Sequence, residues 1–329
     1  MERAKSIIAA LAVAACLPYL VLKLVWLTGG RLGIPEGSRL LDSGATMWIL
    51  NALTVAMDGT VIVLVLALTR PWGRRLPAAV LALPLWIACG LLGPIAVAFP
   101  LQTLYGAMSG STGGGGGSGG DGGADKLLEG WVWTLVYTGF TVQALTLSSL
   151  FVLYVRNRWG ALLRSPLHPG GTEPDNTPRW HRYGFAAAVL VALPCVAGHA
   201  VRMADGTTDS RITDATFLLY VFAALAAVAK LLRTGGAERR TKARLWPTLA
   251  AAWTGSGVLA CWGGWLLLGA LTGGGRTLGQ ETTGAALLTY SCQTLVGLLL
   301  AILAAPRLRH RAQLSTPRPV SGATARQHA

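Results

Sequence analysis

Eight apolar runs divide this chain, each close to the ~20 residues a helix needs to cross a hydrocarbon core. They cover Ser6–Thr28, Thr46–Thr69, Pro77–Phe99, Gly130–Val155, Tyr183–Met203, Thr213–Leu232, Trp246–Leu271 and Thr282–Ala304. Each must be a helix, because an isolated strand in lipid leaves its backbone groups unpaired. The expected fold class is all-α: a polytopic membrane protein with eight transmembrane helices. With 52% hydrophobic and 13% charged residues, the chain is too apolar for a soluble domain, where about a quarter of residues are charged.

The net charge is +14, and its distribution points to a membrane rather than to nucleic acid. With both termini placed in the cytoplasm, 20 of the 28 Lys and Arg residues fall on inside segments, 6 fall outside (Arg202, at the outer end of its span, counted with the loop), and Lys23 and Lys230 lie within spans. Such an excess on one face is the positive-inside pattern. The expected location is a bacterial cytoplasmic (inner) membrane, multi-pass, with both termini inside. Val13-Ala14-Ala15-Cys16 is like a lipoprotein cleavage box, but the apolar run continues through LPYLVLKLVWL, too long for a signal sequence core. Trp26, Trp48, Trp131, Trp133, Trp180 and Trp246 sit near span ends, as interfacial anchors do.

The organisation expected is helices 1–3 in residues 1–108, then a Gly-rich flexible extracytoplasmic loop in 109–129 and helix 4 in 130–160. A cytoplasmic loop in 161–182, helices 5–8 in 183–305 and a disordered basic tail in 306–329 follow. The tract STGGGGGSGGDGG lacks the G-x-x-x-x-G-K-[ST] pattern of a phosphate cradle and reads as flexible coil. The five cysteines all lie in apolar runs without C-x-x-C spacing, as packing residues do. No cofactor or metal site is expected.

The chain also reads as a duplication. Leu17-Pro18 followed by Lys23 matches Leu193-Pro194 followed by His199. Arg39-Leu40-Leu41-Asp42 matches Arg211-Ile212-Thr213-Asp214. Arg75-Leu76-Pro77 matches Arg244-Leu245-Trp246-Pro247, and the segment around Gln143 matches that around Gln293. Four matches in one order predict a 4+4 parallel internal repeat about an axis along the membrane normal. They also predict the two glutamines facing each other or a shared centre. Against this stands the ease with which Leu/Ala/Pro-rich helices align.

Asp58 is the polar residue most in need of explanation. It lies about 18 Å from the outer end of its span at 1.5 Å per residue, near mid-membrane, where a carboxylate must find protein or water. Asn51 and Thr54 share its helical face. The stripe reads either as a proton- or cation-handling site or as hydrogen-bonded glue between helices. Lys23 is expected to snorkel to the interface, the sharper alternative being a pair with Asp58 or Asp42. His199 reads as a hydrogen-bond donor to a neighbouring helix. Gln143 and Gln293 bond across helices or line a path. Pro18, Pro84, Pro94 and Pro194 kink their spans and free carbonyls.

The run PYLVLKLVWLTGG, then GSRLLD, then NALTVAMDGTVIVLVLALTRPWGRRLP resembles a set of uncharacterised actinobacterial multi-spanning integral membrane proteins. That resemblance implies class and location and carries no activity. Three function classes are open. A transporter or permease-like protein, with a small-molecule or ion substrate, fits the repeat, the interrupted helices and the midplane Asp. A non-catalytic membrane subunit or scaffold binding a protein partner fits the absence of a known motif. A membrane-embedded enzyme fits least, because it needs several convergent acid, base or metal groups, such as Asp42, Asp214 and His199 meeting at one mouth. The lipid bilayer is the partner common to all three, and nucleic acid is a partner of none.

Overall fold

A computed structural model of the chain describes residues 2–38, 40–41, 44–110, 127–164, 179–232, 244–272 and 283–315. It contains eight long helices: α1 Glu2–Leu27, α2 Gly44–Thr69, α3 Ala78–Ser109, α4 Gly130–Arg164, α5 Arg179–Asp205, α6 Thr208–Leu232, α7 Leu245–Leu271 and α8 Gly284–Ser315. A 3₁₀ turn, Pro71–Arg75, joins α2 to α3. There is no β-strand among the described residues. All eight helices are long and apolar enough to cross a membrane, so the fold is an all-α polytopic membrane fold.

Two of the helices run past the expected span ends. α4 continues to Arg164, with a break in helical geometry at Trp159 (φ −130°, ψ 27°). α8 passes through Pro306 to Ser315, although residues from 306 onward read as a disordered tail. A proline removes one intrahelical hydrogen bond and bends the helix, yet the turns beyond it still close their own bonds. The glycine tract at 111–126 and the remainder of the tail lie outside the described residues, as do Arg39 and Asp42.

α5, α6, α7 and α8 form a closed ring in which each helix packs on the next and α8 returns to α5. Their shared core contains Ala188, Cys195, Val221, Ala224, Leu259, Val296 and Leu300, all essentially buried. In the other half α1 packs on α2 and on α4, and α4 packs on α3. The α2–α3 seam is only lightly made. α3 instead lies against α7, where Trp86 Nε1 donates to Ser256 Oγ at 3.1 Å and Trp262 Nε1 donates to the Leu91 carbonyl at 2.8 Å. The crossing is close because Gly90 and Gly257 meet there: a Cβ on Gly257 would stand 3.0 Å from the Trp86 carbonyl. Small residues permit this approach in membrane helices.

The α1–α2 connection is pinned to the start of α4. Trp26 Nε1 donates to the Leu32 carbonyl (2.8 Å), Ser38 Oγ to that of Leu127 (2.8 Å), and the Glu129 amide to that of Gly33 (2.9 Å). Gly33 adopts φ 71°, which a Cβ would disfavour. This ties the ends of α1 and α4 together and fixes the register of the polar groups between them. Trp26, expected as an interfacial anchor, is instead buried in this cluster, whereas Trp48, Trp131, Trp180 and Trp246 are exposed.

Candidate functional site

α1, α2 and α4 enclose a polar cluster inside an otherwise apolar bundle. Asn51, Thr54 and Asp58 lie on one face of α2, as their spacing predicts. α1 supplies Lys23 and Tyr19, and α4 supplies Gln143. Lys23 does not snorkel. Its Nζ donates to Asn51 Oδ1 at 2.7 Å and sits over the Tyr19 and Trp26 rings at 4.8 and 4.7 Å. Two aromatic faces and one amide oxygen thus hold a cation within the helices, a combination that offsets part of the lost hydration. Lys23 turns inward because these partners offer more than a run of about five residues to the interface.

Asp58 is 4% exposed and Gln143 1% exposed. Gln143 Nε2 donates to Asp58 Oδ1 at a long 3.4 Å. Thr54 Oγ1 donates to the Leu50 and Asn51 carbonyls and also meets the Tyr19 hydroxyl. Three buried polar atoms of this cluster remain without a hydrogen-bond partner among the described residues: Asp58 Oδ2, Gln143 Oε1 and Asn51 Nδ2. Lys23 and Asp58 make no ion pair within 4.0 Å, although each feels the other's charge. Buried polar groups are nearly always satisfied, so an under-bonded cluster at this depth is the part of the molecule best placed to accept something further.

The second half holds a different cluster. His199 on α5 is fully buried. Its Nδ1 lies 2.7 Å from Asp214 Oδ1 on α6, and its Nε2 lies 3.1 Å from Gln293 Oε1 on α8. Arg202, one turn along α5, donates to the same Asp214 oxygen from Nε (3.2 Å) and Nη2 (2.9 Å). Its guanidinium also stands over the Tyr290 ring at 5.7 Å. Asp214 and His199 therefore meet, as an enzyme mouth would require, but inside a closed knot of three helices rather than at a cleft.

The expected candidates thus divide between two places. Lys23, Asn51, Thr54, Asp58 and Gln143 come together between α1, α2 and α4. His199 and Gln293 belong to the other bundle. The two glutamines do not face each other: each turns into its own half. Arg211 and Asp214 lie within α6, and their expected counterparts Arg39 and Asp42 lie outside the described residues. Sequence reasoning treated Arg202 only as a loop charge and missed Tyr19. The His199-x-x-Arg202 spacing, which puts both on one face of α5, was the available signal for the first of these.

A cavity of about 170 Å³ lies between α3, α4, α6 and α7, lined in part by Cys89, Gly93, Ala144, Ser148, Tyr220 and Thr254. Asp58 is not among its lining residues. No group of three or more His, Cys, Asp or Glu able to hold a metal occurs among the described residues. No family model, curated protein or solved structure matches the chain.

Proposed function

We propose that this integral membrane protein is transporter- or permease-like and that the cluster around Asp58 is its midplane polar site, taking a small-molecule or ion substrate. One observation carries the reading. Asp58 Oδ2, Gln143 Oε1 and Asn51 Nδ2, three atoms of one cluster between α1, α2 and α4, are buried without a hydrogen-bond partner among the described residues. A membrane helix gains nothing from an unpaired central carboxylate, and intramembrane ionisable groups typically mark ion or substrate paths.

Two further features fit. The halves share one arrangement: a basic residue on the first helix (Lys23, His199), an acid on the second (Asp58, Asp214) and a glutamine on the fourth (Gln143, Gln293). This favours a 4+4 parallel repeat, a common transporter plan. The lightly made α2–α3 seam lies within the first half and leaves α2, which carries Asp58, room to shift against α3. The charge distribution favours an inner-membrane location with both termini cytoplasmic.

A second reading, a non-catalytic membrane subunit or scaffold, draws on the near-complete burial of Asp58 behind Gln143. Water access separates the two. Asp58→Cys is placed in a variant lacking the five native cysteines, and membrane-impermeant thiol reagents are applied from each side. Labelling from either side, lost when position 58 carries Ala, supports a transport path. A folded variant that labels from neither side overturns it in favour of the subunit.

A further inference from the structure

We infer that the occupant of the Asp58 site is a proton, held as a closed acid–amide pair between the Asp58 carboxyl and the Gln143 carboxamide. The inference deepens the transport reading and rests on it, naming the coupling ion or cargo.

Hydrogen-bond accounting leads to the proton. Gln143 Nε2 already donates to Asp58 Oδ1. The two remaining oxygens, Asp58 Oδ2 and Gln143 Oε1, are both acceptors and both unpartnered. One hydrogen placed on Oδ2 converts the carboxylate to an acid, whose O–H donates to Gln143 Oε1 while the existing N–H···O bond remains. Two parallel hydrogen bonds then close the pair, and two orphan acceptors are satisfied by one proton, delivered by a hydronium ion that leaves as water. The long 3.4 Å contact is a pair short of its second bond.

A metal cation fits less well. Asp58 and Gln143 offer three oxygens from two side chains, whereas hard divalent cations take six or more oxygen ligands. Lys23 already supplies a positive charge to the same bundle, and its ammonium is held by Asn51 and two rings rather than by Asp58. The partners of Lys23 are therefore separate from the Asp58–Gln143 pair. The other titratable groups facing Asp58 are Cys16 and Tyr19 on α1. On α4 the nearest is Tyr137, which adjoins Tyr19. No charged side chain of α3 faces the site, since α3 carries none. Asp214, by contrast, has its partners in Arg202 and His199.

The test uses the full chain in detergent and in proteoliposomes. Asp58→Asn imitates the protonated acid, because its Nδ2 can donate to Gln143 Oε1 as the acid O–H would. The variant is expected to melt at a higher temperature than wild type at neutral pH. Wild type is expected to gain thermal stability as pH falls, and Asp58→Asn to lose most of that gain. Infrared difference spectra between high and low pH are expected to show a carboxylic-acid C=O band that is absent in Asp58→Asn and shifted in Gln143→Leu. A lower melting temperature for Asp58→Asn, with no such band in wild type, overturns the inference. Stabilisation of wild type by sodium or potassium that Asp58→Asn lacks also overturns it, in favour of a metal cation. These readouts are independent of thiol labelling. A proton can be found on a sealed Asp58, which sinks transport alone, and a water-reachable Asp58 can prove to carry none, which sinks the proton alone.

Discussion

The two halves solve the same problem, a carboxylate inside a membrane bundle, in opposite ways. Asp214 is bound by Arg202 and lies 2.7 Å from the His199 ring. Gln293 closes the far side of that ring, and the four surrounding helices form a complete ring. Asp58 has one long bond from Gln143 and one free oxygen. Its nearest cation is occupied elsewhere, and the α2–α3 seam beside it is barely made. An ionic knot specifies a structure, because its charged members are compensated, even though Gln293 Nε2 has no hydrogen-bond partner among the described residues. An under-bonded acid leaves room for a change of state. The contrast teaches which acid to suspect of function, and it does so by partners rather than by depth alone.

The largest test of this contrast is Asp214→Asn. The substitution keeps the shape but removes the charge that compensates Arg202 and orients His199. Breaking a buried pair from one side costs about 3–5 kcal/mol. The lower end is expected here, because the Arg202 side chain is 36% exposed and can turn to water. Thermal unfolding in detergent should show a large loss, opposite in sign to Asp58→Asn. Equal effects at both sites would erase the distinction between the halves.

Next in size is Gly297→Ala, which asks whether the second ring is as tightly closed as its contacts imply. A Cβ at position 297 would run into the Ala260 backbone nitrogen and stand 2.7 Å from the Ser256 carbonyl. The obstacle is the main chain of α7 and cannot turn aside as a side chain would. Overpacking of this kind costs about 1–3 kcal/mol, and the upper part of that range is expected. An unchanged melting temperature would mean that α7 and α8 can part at little cost.

Lys23→Met should have a smaller effect. It leaves Asn51 Oδ1 without its donor, a penalty of about 1–3 kcal/mol for a buried acceptor, and it takes a charge out of an apolar bundle, which offsets part of that. A net loss of about 1 kcal/mol is expected. A loss as large as that of Asp214→Asn would show Lys23 to be the counter-ion of Asp58 rather than the partner of Asn51.

Much of the fold was legible because span length and apolarity act locally, within one helix. The eight spans and the shared face of Asn51, Thr54 and Asp58 follow from spacing alone. The partners did not follow. Lys23 and Asn51 are 28 residues apart and His199 and Gln293 are 94 apart, and nothing in either segment encodes which neighbour it will face. Interface depth suggested that Lys23 would snorkel; two aromatic faces one turn either side of it, Tyr19 and Trp26, were present in the sequence and argued otherwise. The α8 extension was hidden by Pro306, a residue that permits a bend as readily as an end.

The smallest expected effect lies next to Asp58 itself. Gly59 is on α2, and a Cβ there would meet nothing within 4 Å. At Gly263 on α7 the same atom would stand 2.7 Å from the Thr294 backbone nitrogen, and at Gly255 it would stand 2.7 Å from the Ala224 Cβ. The glycines of α7 thus let neighbouring helices approach, whereas Gly59 serves no packing contact. Replacing it with Ala removes the backbone freedom of glycine in a helix interior, a difference of up to about 1 kcal/mol in favour of Ala. If the protein is only a scaffold, Gly59→Ala should raise the melting temperature slightly and change nothing else. If α2 must flex beside Asp58 as the site changes state, the same small gain in stability should come with slower proton uptake into proteoliposomes. A stabilised variant with wild-type flux would mean that α2 moves, if at all, as a rigid body.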